Sequence, residues 1–414
     1  MLESPPRPDD RNKRHHIPVS PSGSVATAGN IPHHRLKIVI NAFSARQGGG
    51  QTYLNNLLNH LPTEQEVNIL VYAPGRVQLP HDPRIRRGAT RWPTENPLLR
   101  SVWEMFVLPR VLAREKADVL FCPGGLIATK PPKGCRTATT FHNMIPFDPR
   151  ARAAIPIGLQ YFRNWLLERV LLKSMANADL TIFISEFARG VIEARAHIPN
   201  PVTIPHGIGT AFRTDGLSME RPPAVPLGKY VLYVSKFDSY KHHLQVVEGF
   251  ARLPRELQKE YTLVLVGETD HPSAAQVAAT KDSLCIPGSV QLLGAVPYAE
   301  LPAYYHHAAA ILFASSCENC PNILLEGLAS GRPVMSSNVM PMPEFGGPGI
   351  EYFSPFDPDD IARALERVLT DPQHAREVAA SALAQSRNFD WTEAAARTWN
   401  ELTNLTGAPA RPTA

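Results

Sequence analysis

Cysteine is scarce in this chain. Its 414 residues contain only Cys122, Cys135, Cys285, Cys317 and Cys320, whose scatter excludes a disulfide framework and points to a reducing compartment. No apolar run approaches the roughly 18 residues that span a bilayer, and nothing reads as a signal peptide. The expected location is the cytoplasm, including peripheral contact with the inner membrane surface. Charge of one sign is also thin: a net +4 allows an anionic substrate or a weak pull toward acidic lipid, but it is no nucleic-acid footprint. Metal-ligand patterns are sparse as well. Cys317 and Cys320 have ligand spacing without a second cysteine pair or a spaced histidine pair, so no metal site is expected there. The paired histidines at 15–16, 33–34, 242–243 and 306–307 are adjacent rather than one helical turn apart, which disfavours chelation.

Apolar residues make up 43% of the chain, enough for two domains with proper cores. Residues 1–34, rich in Pro, Ser, His and charge without hydrophobic period, read as a disordered leader. Short apolar runs then alternate with helix-period segments. Strands are predicted at 36–41, 67–72, 118–121, 136–141, 180–184 and 202–204. A polar, proline-bearing stretch at 214–228 reads as a linker. Beyond it come strands at 229–234, 261–266, 290–292 and 308–314, and helices from 241 and at 298–307, 357–369, 372–385 and 391–402. This alternation predicts two doubly wound α/β domains facing across a cleft, 35–213 and 229–388, followed by a helix at 389–405 and a tail at 406–414. Segments 157–173 and 103–110 combine apolar and basic residues. Packing of the apolar face on the sheet is the expected use, with membrane docking as the alternative.

Chemistry concentrates after the strand at 308–314. Glu318 lies in the loop, the chain turns at Pro321-Asn322, and a short helix follows with Glu326 about one turn in. Two carboxylates therefore converge on a helix end that favours anions, which suits a sugar nucleotide: phosphate on the amides, hydroxyls on the carboxylates. Lys236 and Lys241 follow the strand at 229–234, where both could reach a phosphate at the same crevice; a solvated lysine pair has the same signature. Gly48-Gly49-Gly50 follows the first strand, where backbone can approach a ligand or form a flexible loop. Those glycines are consecutive, not spaced as in the dinucleotide fingerprint, which disfavours a dehydrogenase. His142 falls just beyond the strand at 136–141, in reach of a ligand or of local carbonyls.

Taken in order, these motifs resemble glycosyltransferase family 4. The resemblance runs through Gly48-Gly49-Gly50, Phe141-His142-Asn143, Phe183-Ile184-Ser185-Glu186-Phe187, Ile204-Pro205-His206-Gly207 and Lys236-x4-Lys241. It continues through Leu293-Gly294-Ala295-Val296-Pro297, Glu318-x7-Glu326 and Gly331-Arg332-Pro333-Val334. It implies the GT-B fold, with two Rossmann-like domains facing across a cleft and the last helix crossing back to the first domain. It also implies retaining transfer of a sugar of mannose, glucose or N-acetylhexosamine type. The donor would be a nucleotide-diphosphate sugar and the acceptor saccharide or lipid-linked, as in bacterial surface polysaccharide or glycolipid synthesis. No metal or other cofactor is implied.

By that resemblance Glu326 binds the ribose, Glu318 a hydroxyl of the donor sugar, and Lys236 and Lys241 the diphosphate. Backbone around Asn319, Cys320, Pro321, Asn322, Ile323 and Leu324 assists. Gly49 and Gly50 approach from the other domain, Gly267 belongs to the substrate-binding set, and His142 contacts the sugar. Three positions depart from the pattern. Lys236 stands where arginine is frequent and lacks its bidentate fork; Asn319-Cys320-Pro321-Asn322 replaces a Gly-Phe-Gly run; His206 replaces an asparagine, a hinge detail. Asp357-Pro358-Asp359 matches the acidic pattern of metal-dependent sugar transferases, but it opens a helix and reads as a cap. The alternatives are another sugar-nucleotide enzyme of this fold, epimerase or phosphorylase-like, and a non-catalytic nucleotide-sugar binding protein.

Overall fold

Strands rich in Val, Ile and Leu and buried on both faces need a parallel sheet covered by helices, and the chain builds two of them. The computed structural model describes residues 35–46, 48–153, 158–213, 219–284, 286 and 290–407. The expected leader, the start of the linker, Cys285 and the end of the tail lie outside the described residues.

The first sheet comprises β1 (Leu36–Asn41), β2 (Val67–Tyr72), β3 (Ile85–Arg87), β4 (Val119–Cys122), β5 (Arg136–Phe141), β6 (Leu180–Phe183) and β7 (Pro201–Thr203), in the order β3-β2-β1-β4-β5-β6-β7. The second comprises β8 (Lys229–Val234), β9 (Tyr261–Val266), β10 (Val290–Gly294), β11 (Ala310–Phe313), β12 (Val334–Ser337) and β13 (Glu351–Phe353), in the order β10-β9-β8-β11-β12-β13. Every pairing within both sheets is parallel. Strand order reverses beside β1 and β4 in one sheet and beside β8 and β11 in the other. Crevices open there, at the carboxyl ends of the strands, because the helices that follow leave to opposite faces. This is the GT-B fold.

The predicted strands lie where expected, within a residue or two at their ends. β3 and β13 escaped prediction, being three-residue edge strands, Ile-Arg-Arg and Glu-Tyr-Phe, too short to carry a pattern. Asp357 caps the helix Pro358–Thr370, its carboxylate accepting from the Asp359 amide at 2.9 Å. The helix Leu159–Asn177 departs from expectation. Leu171 and Met175 are buried and Leu167 and Leu172 pack beside them, but Tyr161, Phe162, Leu166 and Val170 are exposed. Only its C-terminal half is needed to cover the sheet. In the region of 103–110, Trp103 and Leu108 are buried whereas Met105 and Phe106 face outward.

The last helix, Trp391–Asn404, leaves the second sheet and completes the first core. Its Trp391, Ala395, Trp399 and Leu402 pack with Tyr53, Leu54, Leu57 and Leu58 of the helix Gly49–Asn59. The Trp399 indole donates to the Leu57 carbonyl at 3.0 Å, so its buried N–H is satisfied. The crossing is tight: Ile208 bridges Asp390, and a Cβ on Gly207 would lie 2.1 Å from the Trp391 nitrogen. The Trp399→Ala variant, which opens a large void in that core, is expected to lose about 3–5 kcal/mol of stability; urea denaturation checks it.

Candidate active site

The loop after β8 shows how local sequence aims a charge. The Ser235 amide is held by the Val266 carbonyl at 2.8 Å, and a Cβ on Gly267 would fall 1.8 Å from the Ser235 oxygen, so β8 and β9 end in backbone contact that only glycine permits. Asp238 caps the short turn Ser239–Lys241, accepting from the Ser239 amide at 2.7 Å. His242 then takes a left-handed conformation, φ +52°, and its Nε2 pairs with the Ser316 hydroxyl at 2.7 Å. A non-glycine residue in that region costs energy, here offset by the hydrogen bond and by Tyr233, whose hydroxyl donates to the Lys241 carbonyl at 2.6 Å. The result is a buried Lys241 whose ammonium donates to the Glu318 carboxylate and lies 5.3 Å from the rings of Tyr240 and Phe313.

Around this pair opens a cavity of about 450 Å³. Its wall takes in Lys236, Lys241, Gly267, Glu318, Cys320, Pro321, Asn322, Ile323 and Glu326 from the second domain and Gly48, Gly49 and Thr52 from the first. Lys236 is the outlying member. It is exposed at the rim and pairs with Glu268 at 3.2 Å, an acid that sequence reasoning passed over. The amino end of the helix Asn322–Ala329 forms one wall, and a helix amino end favours negative charge. Across the cleft, a Cβ on Gly49 would lie 3.6 Å from the Asn322 side-chain nitrogen, Nδ2.

Four residues singled out from the sequence lie off this wall. Gly50 is one residue further into the helix Gly49–Asn59, and Leu324 is wholly buried in the second core. Asn319 turns away to the other domain, donating to the Phe141 carbonyl at 2.9 Å and accepting from the Ser185 hydroxyl at 2.9 Å. His142 sits in an aromatic cluster with Tyr53 and His206, at centroid distances of 5.1 and 5.4 Å. Burial pushes its pKa down to about 3, with His206 as a lesser cause, so the ring is neutral near neutral pH. Its Nε2 is buried and finds no partner.

His206 is more than a hinge detail. Its Nδ1 meets the Asn322 side-chain oxygen at 2.9 Å, joining the domains at the head of the helix Asn322–Ala329. Burial holds it neutral too, at about 4, against the upward pull of Asn322. A third tie comes from Glu344, whose carboxylate accepts from the Glu186 and Phe187 amides at 2.7 and 2.9 Å. No local pattern marks these contacts, because their partners are 116 to 178 residues away.

Glu326 is buried under two phenols that the sequence did not flag. Tyr298 donates to Oε1 at 2.8 Å and Tyr305 to Oε2 at 3.3 Å. Cys317 and Cys320 are both buried and free, and they belong to different apolar clusters. Among the described residues, no group of three His, Cys, Asp or Glu side chains is placed to hold a metal ion.

Comparison with known proteins bears on this architecture. A family model described as Glycosyltransferase Family 4 matches residues 47–212, and one described as Glycosyl transferases group 1 matches residues 220–385. The chain belongs to glycosyltransferase family 4. This family 4 member is 26% identical over 268 residues to the serotype-specific mannosyltransferase WbdA of Escherichia coli, a match covering 63% of this chain and 32% of that protein. The chain thus spans about a third of the length of the curated relatives it matches first. Sucrose-phosphate synthase from Thermosynechococcus elongatus superposes with a TM-score of 0.73 at 19% identity, over 91% of this chain and all of that one. HepE of Anabaena, crystallised with UDP-glucose, superposes with a TM-score of 0.67 at 17% identity, over 89% of this chain and all of that one. At these identities the structural likeness speaks for the fold.

Replacing one partner of a buried ion pair strands the other charge. The Lys241→Met variant is therefore expected to lose roughly 1–3 kcal/mol, and Lys241→Met/Glu318→Gln to recover a good part of it. A double-mutant cycle in urea measures the coupling.

Proposed function

We propose that this family 4 member is a glycosyltransferase that moves a sugar from a nucleoside diphosphate sugar to a hydroxyl of a saccharide or lipid-linked acceptor, with retention of configuration. The observation that carries the reading is the convergence of Lys241, Glu318 and Glu326 on one cavity at the amino end of a helix, closed from the other side by Gly48 and Gly49. Glu326 suits the ribose hydroxyls, and Glu318, oriented by Lys241, suits a hydroxyl of the sugar.

The bond that breaks joins the anomeric carbon to the diphosphate oxygen; the bond that forms joins that carbon to the acceptor oxygen. The departing diphosphate carries the negative charge, which Lys236, Lys241 and the helix amides stabilise without requiring a metal. Attack from the face of departure retains the configuration and lets the leaving phosphate oxygen take the acceptor proton. No side-chain nucleophile or base is invoked. Closure of the domains excludes water, which would otherwise hydrolyse the donor.

WbdA, a mannosyltransferase by name, makes mannose the first sugar to try. A lipid-linked acceptor is favoured by the exposed Phe162, Leu166 and Val170, which recur every four residues beside Arg163, Arg169 and Lys173. No helix among the described residues is long and apolar enough to cross a membrane.

A thermal-shift screen against UDP-, GDP- and ADP-sugars is expected to single out one donor, because a bound ligand stabilises the fold by mass action. With that donor, Glu318→Ala and Lys241→Ala are each expected to lower transfer about 100-fold or more. Near-normal transfer in both would sink the assignment.

A further inference from the structure

The proposed mechanism leaves unexplained why the carboxylate meant for a ribose is already hydrogen-bonded within the protein. Glu326 is only 6% exposed, and a lone ionised carboxylate in such a place would be costly. Tyr305 is wholly buried and reaches Oε2 from the helix Leu301–His307. Tyr298 comes from the turn after β10. It is 53% exposed, leans on Phe212 at a centroid distance of 5.5 Å, and places its hydroxyl on Oε1. Both Glu326 and Tyr298 line the cavity.

An ionised carboxylate has about four acceptor positions. Two phenols occupy two of them and fix the plane of the group, leaving two for the neighbouring hydroxyls of a ligand. A protonated carboxyl cannot serve in this way, since one oxygen becomes a donor and one phenol loses its acceptor. We propose that Tyr298 and Tyr305 are positioning residues that hold Glu326 as an oriented, ionised acceptor, so that nucleotide-sugar binding is switched on by loss of one proton from Glu326. This rests on the reading that the cavity takes a nucleotide sugar.

Burial pushes Glu326 up to about 7, while the two phenols pull it down. Charged groups on the surrounding elements are engaged elsewhere. Lys241 pairs with Glu318 and Lys236 with Glu268. Arg213 donates to the Ser386 and Phe389 carbonyls, Glu344 accepts the Glu186 and Phe187 amides, and His374 pairs with Glu351. Glu300, beside Tyr298 in sequence, is exposed. Titration of Glu326 is thus governed by burial and two hydroxyls. The sign follows: removing either hydroxyl removes a downward pull and moves ionisation to higher pH.

Calorimetry with glucose and mannose sugars of UDP, GDP and ADP, from pH 5.5 to 8.5, tests this on the full chain. The donor phosphates are diesters and do not titrate in that window. Wild-type affinity is expected to rise through pH 7. Tyr298→Phe is expected to bind roughly fivefold more weakly at pH 7, to recover toward wild type by pH 8.5, and to shift the profile up by about one pH unit, one lost hydrogen bond to a charged group. Tyr305→Phe, isosteric and on the other oxygen, should shift it in the same direction. A loss in Tyr298→Phe that pH does not rescue, or equal or tighter binding, would overturn the positioning role. Binding of the wild type that ignores pH would overturn the proton switch alone, and no binding of any donor at any pH would overturn the reading beneath it as well.

Discussion

The Lys241–Glu318 ion pair is the constraint from which the rest of the site follows. Taking an ammonium and a carboxylate out of water costs several kcal/mol per ion, and their attraction repays this only with close geometry and further hydrogen bonds. The loop after β8 is therefore held at many points, by its Asp238 cap, by Tyr233 under the Lys241 carbonyl and by His242 in a left-handed conformation against Ser316. The loop held in this way fixes the depth of the cavity floor relative to the amino end of Asn322–Ala329. Gly267 belongs to the same frame, since any side chain there would separate β8 from β9 and tilt the loop.

One loop serves two ends. Glu318 faces the cavity while its neighbour Asn319 reaches Phe141 and Ser185 in the other domain. Three positions later the line of contacts returns through Asn322 and His206. The wall of the cavity and the ties between the domains are thereby written into the same few residues. A substitution that reshapes one disturbs the other, which gives a physical reason for the unusual Asn319-Cys320-Pro321-Asn322 run: its polar side chains form the seam, and its two buried cysteine and proline positions shape the cavity.

What was legible in the sequence was local. β8 and β9 could be read to the residue, because six apolar-rich positions between polar ends have no other reading. Lys241, Glu318 and Glu326 were legible because a strand end, a loop and a first helical turn place them predictably. Tyr298 and Tyr305 were not, since two tyrosines around a short turn and helix resemble core residues until the fold lays them on a carboxylate 28 and 21 positions later. Nor was the outward turn of Phe162 and Leu166, because a helix with apolar residues on two sides does not announce which side the sheet takes. His142 was placed at the right strand end, but its direction, into a cluster with Tyr53 and His206, depended on an aromatic helix residue 89 positions earlier in the chain.

The helix that closes the first core comes after the whole second domain in chain order. The sheet residues Ile38, Ile40 and Ile69 cover the helix Gly49–Asn59 from one side, but Trp391 and Trp399 complete the packing, so the first domain waits on the whole of the second before its own core is finished. The order of synthesis and the order of assembly therefore run in opposite directions. The covalent chain passes between the domains twice, near Gly207–Ile208 and near Asp390, and those two passes lie side by side. Two chain passes held side by side tie the domains at one place more firmly than a single covalent crossing would.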